Sequence, residues 1–272
     1  MNTRKKLIVG NWKMHLNTSQ ASLLLHRLHE RIKIHRSVEV VLAPSMLVLQ
    51  PLSMQIDRRK FRLAAQNAYH KDEGAFTGEV SFTMLRDLVH YAIIGHSERR
   101  NIFGEDLVMV RDKVTACVRN DISPIICVGE TKDEKLARET KQVVHDQVTT
   151  AVSNLTAEDI ERVVIAYEPV WAISGGANYK DHEVAKPDEV EKVALYIRSI
   201  IRDLYGEKCS QTVRILYGGS TNADNARAYL EIADIDGLLP GGASLNYHAF
   251  SSMIDSAYRI VHERDTNDSN ED

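Results

Sequence analysis

Short apolar runs rich in Val and Ile recur along the chain at residues 7–9, 38–43, 61–65, 91–94, 124–128, 163–166, 213–216 and 235–239. They are continuous rather than alternating, the pattern of parallel strands buried on both faces. Between them the apolar positions change to helical spacing. Ala21, Leu24, Leu25, Leu28 and Ile32 make one stripe, and Val190, Val193, Ala194, Ile197, Ile200 and Ile201 another. Strand and helix alternate from end to end, which predicts parallel strands joined by right-handed crossovers. Eight such units in a chain of 272 residues fit an α/β fold of one closed (β/α)8 barrel, which typically takes about 250 residues. An open doubly wound sheet is the other arrangement; no GxGxxG follows the first run, and no linker or compositional shift divides the chain. The expectation is one domain over residues 1–272, with a polar, disordered tail at 265–272.

Composition sharpens this picture. Apolar residues make up 43% and charged residues 26%, enough for a core and too apolar for general disorder. The formal charge is −4, and Asp265, Asp268, Glu271 and Asp272 supply all of it. With a neutral body and no dense run of Lys and Arg, neither nucleic acid nor an anionic membrane is expected as a partner. Cysteines at 117, 127 and 209, without a CxxC, suit a reducing compartment, and no targeting segment is visible. A cytoplasmic protein is expected.

In a barrel of this kind the functional groups gather where strands end, so those positions carry the chemistry. After the first run comes Gly10-Asn11-Trp12-Lys13-Met14-His15, with Asn11 and Lys13 at the same strand parity and able to face the barrel mouth. Taken alone, Lys13 reads first as a solvated loop cation. The fourth run ends in Gly95-His96-Ser97-Glu98, placing His96 on the last strand position against a helix start. The positive end of that helix favours a neutral imidazole that donates a hydrogen bond. The sixth ends in Tyr167-Glu168-Pro169, where a carboxylate shielded from water becomes an effective proton acceptor. A small-residue loop at 174–178 follows and could act as a lid. The last two runs end in Tyr217-Gly218-Gly219-Ser220 and Leu239-Pro240-Gly241-Gly242. One glycine pair would be a turn; two on neighbouring strands allow backbone N–H groups to surround a phosphate.

These segments, in this order, resemble the triosephosphate isomerase family over residues 6–262. Ala65-Gln66-Asn67, the stretch from Gly74 to Glu79, and Ile126-Cys127-Val128-Gly129-Glu130-Thr131 extend the likeness. The resemblance implies an aldose–ketose isomerase that needs no metal or organic cofactor and acts in glycolysis and gluconeogenesis. By it, Glu168 is the base that moves a proton between adjacent carbons, and His96 is the neutral electrophile. Lys13 offsets the enediolate charge. Asn11, Lys13, Ser174, Ser220, Gly241 and Gly242 hold the sugar phosphate. It also implies a homodimer in which the 74–79 loop, with Thr77 at its tip, inserts beside Asn11 and Lys13 of the other subunit.

Three departures surround the expected mouth. The lid continues from Ser174 to Pro187, several residues longer than the family's usual form; His15 replaces an Asn, and Pro240 replaces a Val. A longer lid is where substrate size would be set. The expectation is interconversion of dihydroxyacetone phosphate and D-glyceraldehyde 3-phosphate. Two alternatives stay open: an isomerase of L-erythrulose 1-phosphate, a four-carbon ketose, and a barrel that binds sugar phosphates without turnover.

Overall fold

The computed structural model describes residues 4–173 and 184–268. All eight apolar runs are strands: β1 Lys6–Asn11, β2 Val38–Ala43, β3 Arg62–Ala65, β4 Tyr91–Ile94, β5 Ser123–Val128, β6 Val164–Tyr167, β7 Arg214–Tyr217 and β8 Gly237–Leu238. They pair in parallel in sequence order and close into a barrel through β8 on β1. The expected (β/α)8 architecture is therefore present. Among the described residues no helix is long and apolar enough to cross a membrane.

Each strand buries two different faces. Leu7, Val9, Val41, Ile93, Ile125, Cys127, Val164, Ala166 and Leu216 fill the barrel interior. Ile8, Val40, Leu42, Ile94, Ile126, Ile165 and Ile215 point outward into a larger layer beneath the helices. That double burial is why the strands are apolar throughout. Burying a residue such as Leu or Ile this fully contributes about 1.5–3 kcal/mol. The stripe of Ala21, Leu24, Leu25 and Leu28 lies on the inner face of helix Thr18–Arg31, which Asn17 and Gln20 start with a capping box. The second stripe is the buried face of Pro187–Tyr205.

The two ends of the interior differ. At the N-terminal end, Tyr91 donates to Glu39 at 2.9 Å and Arg214 donates to both, at 2.7 and 3.0 Å, so a satisfied polar network closes the floor. At the C-terminal end the interior opens instead. The last helix, Tyr247–Asp268, runs into the segment expected to be disordered. Phe250, Met253, Ile254, Ala257 and Ile260 bury one face of it, and the Thr266 hydroxyl bonds back to His262 and Glu263 carbonyls, so helix propagates beyond the packed stripe. Residues 269–272 of the expected tail lie outside the described residues.

The seam is tight where β8 meets β1. A Cβ at Gly237 would lie 1.8 Å from the Leu7 carbonyl oxygen, a backbone overlap that no rotamer change relieves, whereas one at Gly10 would meet only the side chains of Ser244 and Phe250, at 3.0 and 3.1 Å. Gly237→Ala should therefore cost about 3 kcal/mol or more, lowering Tm by roughly 6–12 °C. Gly10→Ala should cost about 1 kcal/mol. Equal losses in thermal melts of the two variants would contradict the account of the seam.

Candidate active site

The interior parity of the strands continues past their ends to the mouth of the barrel, where a cavity is lined by Asn11, Lys13, His96, the glycines 218, 219, 241 and 242, and Ser220. Every predicted site residue in the described chain is at or beside it. Ser174 and the proposed lid loop at 174–178 lie outside the described residues.

Lys13 reaches the cavity differently from its predicted strand parity. β1 ends at Asn11, and Lys13 adopts φ +50°. The turn is held by its own neighbour, since Lys13 N–H donates to Asn11 Oδ1 at 3.1 Å, and Gln66 ties the Lys13 and Ala43 carbonyls together at 2.8 and 2.9 Å. The Lys13 ammonium is 2.6 Å from Glu98 Oε1. Burial would raise the Glu98 carboxyl, but the hydrogen bond from Lys13 and the neighbouring positive charges outweigh it, so the group lies below its ordinary value.

His96 also sits beyond its strand. β4 stops at Ile94, Gly95 turns the chain with φ +68°, and His96 is the N-cap of the short helix Ser97–Asn101. Its Nδ1 accepts from the Glu98 N–H at 3.2 Å, which leaves Nε2 to carry the proton of a neutral ring. That Nε2 is 3.5 Å from Glu168 Oε1. The imidazole therefore faces the carboxylate with a donor.

Glu168 follows β6 directly, fixed by its N–H to Val128 O at 2.7 Å. Its side chain is only 1% exposed and does not line the cavity. Cys127 donates its thiol to Oε1 at 3.3 Å, and the Ser97 N–H approaches Oε2 at 3.5 Å. Burial, followed by the Glu168 carboxylate, pushes the Cys127 thiol well above its ordinary value, so it stays protonated and able to donate. Space for Glu168 comes from Gly218: a Cβ there would sit 2.6 Å from Glu168 Cγ. The first glycine of that pair thus makes room for the carboxylate as well as lining the cavity.

The segment that follows β6 is anchored from beneath. Glu130 is buried and accepts from the Tyr167 hydroxyl at 3.2 Å and from Trp171 Nε1 at 2.9 Å. Burial and the Glu130 charge push the Tyr167 phenol far above its usual range, keeping it a neutral donor. Lys135 Nζ lies 3.3 Å over the Trp171 ring and 3.6 Å from Glu189, in the first turn of helix Pro187–Tyr205. Ser220 differs from expectation in one respect: its N–H already donates to Ala172 O at 2.8 Å.

The sequence reading missed Cys127, Gln66 and Glu98 as members of this group. Cys127 falls within the apolar run 124–128, and only the β5–β6 register, Cys127↔Ala166, sets it two positions before Glu168 on the same face of the sheet. Glu98 was read only as a helix-start residue.

The Lys13–Glu98 pair carries a pH signature. With its folded value lowered, Glu98 adds stability that is present above its ordinary value of 4.5 and is lost as pH falls through the lowered one. Its side chain is 37% exposed, so in urea unfolding the wild type should exceed Glu98→Gln by no more than about 1 kcal/mol near neutral pH. The gap should close on acidification below the ordinary Glu value. A gap independent of pH would contradict the assignment.

The triosephosphate isomerase family model matches residues 6–257. A triosephosphate isomerase of Chloroherpeton thalassium is 42% identical over 259 residues, covering 93% of this chain and 99% of its own. One of Carboxydothermus hydrogenoformans is 40% identical over 92% of this chain and 98% of its own, and one of Clostridium tetani 40% identical over 92% and 96%.

Proposed function

The chain belongs to the triosephosphate isomerase family, and from that premise we propose that it interconverts dihydroxyacetone phosphate and D-glyceraldehyde 3-phosphate without a cofactor. The observation that carries this reading is the meeting of a buried carboxylate, an imidazole with Nε2–H toward it, and an ammonium around one glycine-lined cavity. Glu168 takes a proton from the carbon beside the substrate carbonyl and returns it to the neighbouring carbon. His96 donates from Nε2 to the carbonyl oxygen and exchanges that proton between the two oxygens as the double bond shifts. Lys13, with Asn11 beside it, offsets the negative charge of the enediolate. The backbone around Gly241 and Gly242 receives the phosphate, with Ser220 and Ser174 completing its surround. Glu168 must rotate from Cys127 and Ser97 toward the cavity before it reaches substrate. The Ser220 N–H must likewise leave Ala172 to bind phosphate, which couples phosphate binding to the lid entry.

The four-carbon reading is not favoured. Relatives named triosephosphate isomerase match over nine-tenths of the chain, and the longer lid that motivated the alternative falls in residues outside the described set. A non-catalytic binder would need the glycine pairs but not Glu168 aligned on His96. We read residues 1–272 as one domain. Cytoplasmic residence fits three free, buried cysteines. We also assign a homodimer through the 74–79 loop: Met14, Phe76, Ile102 and Phe103 leave large apolar side chains exposed on the segments that follow β1, β3 and β4.

Glu168→Gln should lower kcat by about 10²–10⁴ with little change in affinity for the sugar phosphate; near-native turnover would overturn the assignment of the base. Side-by-side kcat/KM for dihydroxyacetone phosphate and L-erythrulose 1-phosphate should favour the triose. Phe76→Asp should convert the protein to a monomer in analytical ultracentrifugation and lower its activity. A variant that stayed dimeric would exclude this loop as the interface.

A further inference from the structure

At the end of the barrel opposite the active site, positive charge is concentrated in a way the chain's overall balance conceals. Residues 58–62 read Arg58-Arg59-Lys60-Phe61-Arg62, four cations in five positions. This corrects the expectation that no dense basic run exists. Buried Phe61 fixes the segment to the core, and Lys60 bonds the His29 carbonyl at 2.7 Å, so the cations stand on a rigid base at the entry to β3. Lys5 and Arg36 stand at the entries to β1 and β2, the neighbouring strands. All six cations line one cavity of about 280 Å³.

Little neutralises them. Glu39 is the only carboxylate among the cavity's described lining residues, and it is already engaged by Tyr91 and Arg214; Arg62 lies 3.8 Å from it. Asp57 is held by Arg59 in a two-point contact at 3.0 and 2.9 Å. Arg36, Arg58 and Lys5 are exposed and have no hydrogen bond or ion pair among the described residues. A concave site with one sign of charge focuses its potential and attracts an oppositely charged ligand. Arg58, Arg62 and Glu39 also line an adjoining cavity of about 440 Å³, where Asp87, His90 and Asp121 join them and Arg86 pairs with Asp121 at 2.6 Å. The excess of positive charge belongs to the smaller cavity, whose 280 Å³ approaches the low end, about 300 Å³, of small-molecule sites.

We propose that this cleft binds a small molecule carrying a chain of two or three phosphates, as a nucleoside triphosphate or inorganic tripolyphosphate does, with the chain against Lys5, Arg36 and Arg58. Arginine suits that ligand because its planar fork pairs with phosphate oxygens two at a time. A single phosphate would leave most of the cations unused, which is why the chain of phosphates is specified.

Titration calorimetry with inorganic tripolyphosphate at low ionic strength tests the site, using the full-length protein, Arg36→Ala/Arg58→Ala, and Lys13→Ala. Wild type and Lys13→Ala should bind alike, the double variant should bind at least about tenfold more weakly, and its kcat/KM on the triose phosphates should be unchanged. Binding lost in Lys13→Ala but kept in the double variant would place the anion in the catalytic cavity and overturn the proposal. So would orthophosphate binding as tightly as tripolyphosphate, or a single-stranded oligonucleotide binding tenfold more tightly, which would make the face a nucleic-acid surface. ATP tested beside tripolyphosphate separates recognition of a nucleoside from recognition of the phosphate chain alone.

Discussion

Closure of eight parallel strands is the constraint on which everything else here rests. Because the strands run the same way, all their C-terminal ends meet at one mouth, and because the side chains alternate, the interior-facing set at that mouth is fixed by register. Leu7 and Val9 lead to Asn11; Val164 and Ala166 lead to Glu168; Leu216 leads to Gly218, and Leu239 to Gly241. A slip of one residue would turn Glu168 into the helix layer and bring Tyr167 inward. The seam at Gly237, pressed on the Leu7 carbonyl, is where that register is completed.

Within the mouth the difficulty is electrostatic. A buried carboxylate is costly unless its oxygens are met by donors. Glu168 is met by a thiol, an imidazole and a backbone N–H, three contacts of 3.3–3.5 Å, which hold it in place without a close ion pair. Lys13, at the cavity, is paired instead with Glu98, and Arg100, near Cys127, donates to the Gly95 and Cys127 carbonyls. This separation leaves Glu168 without a close ion pair, so the rotation proposed for it would break only weak bonds. Glu98 serves on both sides, with its backbone N–H fixing the His96 tautomer and its side chain fixing Lys13.

The protein places opposite chemistry at the two ends of one apolar barrel. The mouth uses few charges and many backbone groups, while the floor carries a satisfied Glu39–Tyr91–Arg214 network ringed by six cations, of which Lys5, Arg36 and Arg58 have no hydrogen bond or ion pair among the described residues. The near-neutral total hides this division, since a sum over the sequence discards position.

The strand order, the eight boundaries to within a residue or two, and the candidates Lys13, His96 and Glu168 were all legible in the sequence, because apolar runs and strand-end motifs are local patterns. The extent of the last helix was not, since its polar end is carried by an apolar stripe several turns earlier. Nor was the role of Cys127: its apolar neighbours mark it as core, and only the β5–β6 register brings it against Glu168, 41 residues away. The clustering of Lys5, Arg36 and Arg58 was hidden for the same reason. Local sequence determines which residues end a strand; which strand ends lie side by side, and therefore which charges and donors face one another, is decided only when the barrel closes.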